Sequence, residues 1–254
     1  MLANVWDGVG MSARDVMAAA RRITVLTGAG ASAASGVGRF AFPAPDRTAS
    51  AAARRELWRS WLDDPMWTAE PNAAHLALAG LERAGRVRAL LTQNVDGLHG
   101  RAGSSAVELH GSATRVVCPD CGAGASTAWA LAEVRGGVDE PLCPLCGGAV
   151  RPAVVAFGEP LADEVLRAAR AAVLDCDALL VAGMSLEVEP AASLVGLGAR
   201  AGAAVVICNL TPTPYDGVAA AVVREPVERS LPELVAVPVA ATGPVRTWGD
   251  PSTW

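Results

Sequence analysis

Two Cys-x-x-Cys pairs constrain the fold of this 254-residue chain more than any other feature. Cys118 and Cys121 form the first pair, and Cys143 and Cys146 form the second pair 21 residues later. Four thiolates at this spacing can close a tetrahedron around zinc. Because four protein ligands would leave the ion no open position, we expect a structural zinc site. A redox dithiol pair and a chance spacing are the alternatives.

The segment that holds these cysteines differs from the rest of the chain. Residues 115–150 are rich in turn-forming residues and have no strong helical or strand period. Gly122 and Gly147-Gly148 follow the two pairs, where tight turns would aim backbone amides at metal-bound sulfur. We therefore interpret residues 116–150 as a small inserted zinc module.

Outside this module, apolar strands alternate with helical stretches. The hydrophobic pattern predicts strands at 23–27, 87–92, 154–157, 178–183 and 204–209, and helices at 12–22, 71–85, 162–174 and 190–201. This alternation indicates an α/β fold, a Rossmann-like parallel sheet with helices on both faces, built from residues 1–115 and 151–241. Residues 242–254 are expected to form a loose C-terminal tail.

Charge and composition exclude several classes of partner. The net charge of -5 gives no support to nucleic-acid binding, which requires clustered cations. No apolar run is long enough for a membrane helix, and residues 1–10 lack the pattern of a signal peptide, so we expect a soluble cytoplasmic protein with no membrane partner. All 21 cationic residues are arginine, so the chain contains no lysine side chain.

A glycine-rich turn follows the first predicted strand. Gly28-Ala29-Gly30-Ala31-Ser32 would let backbone amides approach a pyrophosphate. The same turn could be only a tight strand-to-helix connection.

Histidine is scarce, which narrows the search for a general base. Two of the three histidines, His99 and His110, follow the polar strand end Thr92-Gln93-Asn94-Val95-Asp96. Imidazole is the natural general base near neutral pH, and the amides and carboxylate beside it could orient a sugar and a leaving group. We expect His110 to be functional, and His75 and His99 to be structural anchors.

Taken in order, the motifs of residues 23–215 resemble the sirtuin family. The matching segments are 28–36, Pro71-Asn72-Ala73-Ala74-His75, 92–99, Glu108-Leu109-His110-Gly111, the four cysteines, 151–159, 183–190 and Asn209. The resemblance implies an NAD-binding Rossmann domain with a small zinc module, and a cleft between them where NAD and acyl-lysine meet.

The resemblance also assigns cofactor-binding roles. Pyrophosphate would lie on Ala29, Gly30, Ser32 and Ser185, in turns that contain Gly28 and Gly183, and the adenosine ribose on Asn209. Asn94 would position the nicotinamide ribose beside Gln93, and the Val95 backbone and Asp96 side chain would receive the nicotinamide amide. Phe40 would shield the sugar from water.

The family mechanism gives His110 the role of base. Nicotinamide leaves, the acyl oxygen attacks the ribosyl carbon, and a ribose hydroxyl deprotonated by His110 attacks the resulting imidate. Water then releases lysine and O-acyl-ADP-ribose. Val155 and Phe157 would line the acyl-lysine tunnel, and two segments would sandwich the substrate backbone as an added strand, namely Phe157-Gly158-Glu159 and Leu186-Glu187-Val188-Glu189.

The chain departs from the family pattern at the cofactor loop. Gly38-Arg39-Phe40-Ala41 stands where Pro-Asp-Phe-Arg is usual, and residues 41–70 form a shortened cofactor loop and helical segment. Ala153 and Met184 are milder departures. Since the loop excludes water in the family, we expect slow or leaky catalysis. One branch of the family recognises acidic acyl groups with a Tyr-x-x-Arg pair, and this chain has Trp58-Arg59-Ser60-Trp61 instead. The replacement favours acetyl or another neutral acyl chain as substrate.

The leading hypothesis is therefore an NAD-dependent protein-lysine deacylase. The alternatives are an NAD glycohydrolase, an enzyme that transfers ADP-ribose to a protein, and a catalytically weak sensor of NAD or acyl-lysine. Cys176 and Cys208 are expected to be buried thiols, and Trp58, Trp61 and Trp67 to pack a short helix or border the acyl pocket. The sequence leaves the target protein, the acyl-chain length and the oligomeric state open.

Overall fold

A computed structural model describes residues 11–38, 50–156 and 158–236 of the chain. The helices are α1 (Ala13–Ala19), α2 (Ala51–Trp61), α3 (Ala73–Arg83), α4 (Leu98–Arg101), α5 (Thr127–Arg135), α6 (Asp163–Leu174), α7 (Ser193–Arg200) and α8 (Val227–Leu234). The strands are β1 (Ile23–Thr27), β2 (Val87–Thr92), β3 (Ala106–Glu108), β4 (Gly111–Val117), β5 (Gly124–Ser126), β6 (Arg151–Val154), β7 (Ala178–Ala182), β8 (Ala204–Cys208) and β9 (Ala221–Val223).

Six strands form one parallel sheet, in the order β3-β2-β1-β7-β8-β9. Every residue of β1, β7 and β8 is buried, as is typical of central parallel strands covered on both faces. The strand order reverses between β1 and β7, and open α/β sheets bind their ligands at the carboxyl ends of the strands beside such a reversal.

Helices cover both faces of this sheet, which confirms the predicted fold class. One apolar cluster joins α1, α3 and α8 to the sheet through residues such as Val16, Leu78 and Leu231. A second cluster joins α6 and α7 to the opposite face through residues such as Val173 and Val195. Hydrogen bonds at the helix starts also follow the sequence, because Ser12 with Asp15, and Asn72 with His75, form capping boxes.

A small antiparallel sheet, ordered β5-β4-β6, forms a second unit together with α5. Its core includes Trp58 and Trp61 of α2, which pack with Cys118 and Leu131, so the packing role expected for these tryptophans is confirmed. The parallel-sheet strand predicted at 154–157 is wrong: β6 ends at Val154 and pairs antiparallel with β4. The division of the chain at residues 115 and 151 stays a prediction.

Several elements were not predicted from the sequence. Helix α8 packs against α3, and the short strands β3 and β9 close the two edges of the parallel sheet. Helix α5 lies in the segment that the sequence described as turn-rich and without a strong helical period. Within the described ranges, no helix has both the length and the apolar character that crossing a bilayer would require.

Candidate active site

A groove of about 490 Å³ opens at the carboxyl ends of β1, β2 and β7, beside the reversal of strand order. The sequence-predicted residues that line it are Ala29, Gly30, Ser32, Gln93, Asn94, Val95, Asp96, His110, Gly183, Ser185, Glu187, Val188 and Asn209. Polar side chains from distant parts of the chain therefore meet in one cavity of the size that holds small-molecule ligands.

The floor of the groove is made by two glycine turns in direct contact. Gly30 N–H donates to the carbonyl of Gly183 at 2.9 Å, and Gly28 N–H donates to that of Ala182 at 3.2 Å. A Cβ on Gly30 would lie 2.7 Å from the Gly183 Cα, so neither turn tolerates a side chain there. Glycine at these positions permits close contact between the two turns. This contact explains the glycines in addition to the expected approach of a phosphate.

One amide of the first turn remains available to a ligand. The N–H groups of Gly28, Gly30, Ala31 and Ser32 all donate to carbonyls of the protein. The Ala29 N–H has no acceptor among the residues that the structure describes, and Ala29 lines the groove. The groove can therefore offer this donor to an anionic oxygen.

The Ser32 side chain lies in a hydrogen-bond network beside the groove, and its expected contact with a pyrophosphate stays a prediction. Its side chain is 1% exposed, and its hydroxyl donates to Asp96 Oδ2 at 2.6 Å while accepting from Asn94 Nδ2 at 3.0 Å. Asn94 Nδ2 also donates to the Gly28 carbonyl at 3.1 Å, and Leu98 N–H donates to Asp96 Oδ1 at 2.9 Å. The serine hydroxyl thus fixes the orientation of Asn94 and Asp96. Asn94 Oδ1 has no donor among the described residues and can accept from a ligand hydroxyl.

His110 lines the groove and has a defined hydrogen-bond partner. Its Nδ1 lies 3.1 Å from the Gln93 carbonyl oxygen, which can only accept, so Nδ1 carries the proton in the neutral ring and Nε2 carries the lone pair. Burial lowers the pKa of His110, and the hydrogen bond to Gln93 opposes this shift. The imidazole is therefore neutral near pH 7 and can accept a proton at Nε2.

The position of His110 depends on the residue that follows it. Gly111 has a φ of 74°, and a Cβ at this residue would lie 2.1 Å from the carbonyl oxygen of Ala153. The His110 carbonyl accepts from Val155 N–H at 2.9 Å. The loop that carries the histidine is thereby fastened to β6.

The remaining predicted residues lie outside the groove lining, or outside the described part of the chain. Leu186 is buried in the apolar cluster of α6 and α7 at a φ of 59°, with Val155 packed against the same cluster. Gly158 is exposed, and the Glu159 carboxylate accepts from Ala156 N–H at 2.9 Å. Phe40 and Phe157, with Arg39 and Ala41 of the altered segment, lie outside the described residues.

Sequence reasoning missed part of the groove wall. Ala33, Val37 and Thr211 line the groove without having been predicted as site residues. Gly38 and Met184 also line it, and the sequence identified them only as departures from the family pattern. Small apolar residues carry no chemical signal of a site. Thr211 could have been found from its position, because it lies two residues after Asn209 and accepts from Asn209 Nδ2.

The four predicted cysteines meet at one point. All four Sγ atoms lie within 4.8 Å of one another, with Cys118 3.4 Å from Cys146 and Cys121 3.7 Å from Cys143. Tetrahedral zinc with Zn–S bonds of about 2.3 Å separates its sulfurs by about 3.8 Å, so the sulfur positions fit this ion.

The other cysteines and histidines are buried within the fold. Cys176 and Cys208 are buried, as expected, and burial raises the pKa of the Cys208 thiol to about 12. His99 Nε2 lies 2.9 Å from Thr27 Oγ1, and burial lowers the pKa of this histidine to about 3. His75 is also buried, with its ring 4.8 Å from that of His99 in an edge arrangement.

Comparisons with known proteins agree with this geometry. The chain is 43% identical over 231 residues to NAD-dependent protein deacetylase 2 of Streptomyces coelicolor, covering 84% of this chain and 96% of that protein. It is 40% identical to NAD-dependent protein deacylase 2 of Pyrobaculum aerophilum, covering 89% and 94% of the two chains. A solved structure of Sir2 with a p53 peptide and NAD⁺ superposes with a TM-score of 0.79 at 34% identity, covering 87% of this chain and 95% of that one. The model of the Sir2 family matches residues 28–190, and the chain belongs to that family.

Proposed function

We propose that this protein is an NAD-dependent protein-lysine deacylase that produces nicotinamide, O-acyl-ADP-ribose and free lysine. The observation that carries the proposal is the geometry of His110. Its Nδ1 is held by the Gln93 carbonyl, and the ring lines the same groove as Asn94 and Asp96. A general base with a fixed tautomer beside ribose-orienting groups is what the deacylation chemistry needs.

NAD is consumed as a substrate, and it supplies a ribosyl carbon with nicotinamide as the leaving group. Ala29, Gly30 and Ser32 would bind its pyrophosphate together with Ser185, in turns shaped by Gly28 and Gly183, and Asn209 would bind the adenosine ribose. The Ala29 amide supports this assignment, because it has no acceptor within the described part of the chain and a phosphate oxygen would satisfy it. Gln93, expected beside the nicotinamide ribose, supports NAD binding in this groove as well, because its Nε2 is buried and has no partner within the described ranges.

The nicotinamide end would lie on the polar strand end. Asn94 would accept from a ribose hydroxyl, and the Val95 backbone and Asp96 carboxylate would bind the carboxamide. The hydrogen bonds from Ser32 and Leu98 to Asp96 support this role, because they hold the carboxylate in one orientation before any ligand arrives. His110 Nε2 would remove a proton from the ribose hydroxyl that attacks the acyl group.

The acyl-lysine substrate would enter from the side of residues 155–159 and 186–189. Glu187 and Val188 are exposed and line the groove, which supports contact with a substrate backbone. Val155, Gly158, Glu159 and Leu186 would complete this channel together with Phe157, and Phe40 would shield the sugar. The acetylated peptide bound to Sir2 in another solved structure, 33% identical to this chain, supports a peptide substrate.

Zinc would be held by the four cysteines and would act on the fold rather than on the reaction. Its site shares an apolar core with Trp58 and Trp61 of α2. The metal would therefore stabilise the small sheet whose strand β6 fastens the His110 loop.

Incubation with NAD and an acetyl-lysine peptide, followed by mass spectrometry, tests the proposal. We expect nicotinamide, deacetylated peptide and O-acetyl-ADP-ribose from the wild type, and loss of these products in His110→Ala. ADP-ribose formed without dependence on the peptide would replace the proposal by NAD hydrolysis. An ADP-ribosylated protein would replace it by transfer, and NAD binding without turnover would replace it by a sensor role.

A further inference from the structure

A line of hydrogen bonds runs from the start of α3 to the Asp96 carboxylate. Asn72 N–H lies 3.3 Å from His75 Nδ1, and His75 Nε2 lies 3.5 Å from Ser32 Oγ. The Ser32 hydroxyl then donates to Asp96 Oδ2 at 2.6 Å. His75 is fully buried, so water does not compete for either ring nitrogen.

The backbone at residue 72 fixes the direction of this line. A backbone N–H can only donate, so His75 Nδ1 must be the unprotonated nitrogen and Nε2 carries the hydrogen of the neutral ring. Burial lowers the pKa of His75, with the Asp96 charge opposing and the Arg101 charge adding to the shift, so the neutral ring is the form near pH 7. Ser32 Oγ is the acceptor that the structure places before Nε2–H.

Ser32 Oγ consequently has a full set of partners. It accepts from His75 Nε2 and Asn94 Nδ2, and its single hydrogen is directed to Asp96. His75 Nε2–H and Asn94 Nδ2–H are both donors and cannot accept the hydroxyl hydrogen. The Asp96 carboxylate is therefore the acceptor for that hydrogen. The capping box of α3 thus controls the orientation of a carboxylate in the groove, 24 residues further along the chain.

We infer that His75 is a positioning residue for nicotinamide recognition, acting through Ser32 on Asp96. The inference rests on the proposed function, because it assumes that Asp96 binds the carboxamide. It goes beyond the cap of α3, since a purely structural histidine would need only its Nδ1.

Two substitutions separate the two ring nitrogens. In His75→Asn, Oδ1 replaces Nδ1 and can still accept from Asn72 N–H, but the side chain is too short to reach Ser32. In His75→Gln, the terminal nitrogen stands near the position of Nε2 and can still donate to Ser32. We expect His75→Asn to raise the inhibition constant of nicotinamide by about 3- to 10-fold, the loss typical of one hydrogen bond, with the KM for the peptide unchanged. His75→Gln should keep the wild-type inhibition constant.

The outcomes are distinct. If the wild type shows no NAD-dependent deacylation, the proposed function fails before the inference is reached. If the wild type is active and His75→Asn has the wild-type inhibition constant, or if both variants raise it equally, the inference is overturned. If His75→Asn fails to fold, the double variant His75→Gln with Ser32→Ala is compared with His75→Gln alone. An inhibition constant of nicotinamide that is the same in both would overturn the proposed hydrogen-bond path from His75 through Ser32 to Asp96.

Discussion

Replacing Gly111 by alanine is expected to slow deacylation by about 100-fold, since a displacement of roughly 1 Å at a catalytic group costs about that factor. The new Cβ would lie 2.1 Å from the Ala153 carbonyl oxygen, on the strand that pairs with β4. Restoring ordinary contact at 3.4 Å needs a movement of roughly 1.3 Å, which the close-packed interior cannot absorb without displacing the loop. Because His110 directly precedes this residue, its Nε2 would move with it.

Gly85→Ala is the matched control for backbone strain. Gly85 has a φ of 71°, close to the 74° of Gly111, but a Cβ there would meet nothing within 4 Å. Both variants should lose roughly 1–2 kcal/mol of stability from the left-handed backbone. Steady-state kinetics with an acetyl-lysine peptide, beside urea unfolding, compares them. If Gly111→Ala loses no more kcat than Gly85→Ala, Gly111 does not set the position of the base.

Three further predictions concern the base, the metal and the core. The kcat/KM of the wild type should fall on the acid side with a midpoint below 6.5 and reach a plateau at higher pH, because burial lowers the pKa of His110 and protonation removes the base. A midpoint above 6.5 in the pH profile would contradict this. Chelation of zinc, or Cys143→Ser, should unfold the small sheet, since binding of structural zinc contributes about 10–16 kcal/mol to folding. The fluorescence of Trp58 and Trp61 should change, because both pack in the core that the zinc site shares. An unchanged melting temperature would contradict the metal site. Leu231→Ala, at a fully buried position of α8, should lower the free energy of unfolding in urea by about 2–5 kcal/mol. Leu174→Ala, at a position that is 56% exposed, should lower it by less than about 0.5 kcal/mol. Equal losses of stability would show that α8 does not contribute to the core.

Much of the parallel sheet could be predicted because its central strands are continuous apolar runs with polar ends. The bounds of β1 and β2 agree with the prediction residue for residue. Strands β3 and β9 have only three residues each, too few for a period to show. The apolar run at 154–157 indicated a strand, but the sheet to which a strand belongs depends on its distant partner, and β4 supplies that partner here.

The roles of individual side chains at the site could be predicted only in part. The clustering of Asn94, Asp96 and His110 followed from motif order, and the structure brings all three to one groove. The direction of the Ser32 hydroxyl did not follow, because it is set by Asn94, Asp96 and His75, which lie 43 to 64 residues away. Sequence spacing carries no information about which of two polar neighbours a hydroxyl will face.

The sequence by itself determined the elements that depend on local chemistry. These are the two cysteine pairs, whose spacing limits them to one small module, the buried central strands, and the helix starts at Ser12 and Asn72. Tertiary structure alone decided the contact between the turns of Gly30 and Gly183, and the hydrogen bond that fixes the tautomer of His110. Both depend on atoms from distant segments of the chain, which meet only when the strands of the parallel sheet are assembled side by side.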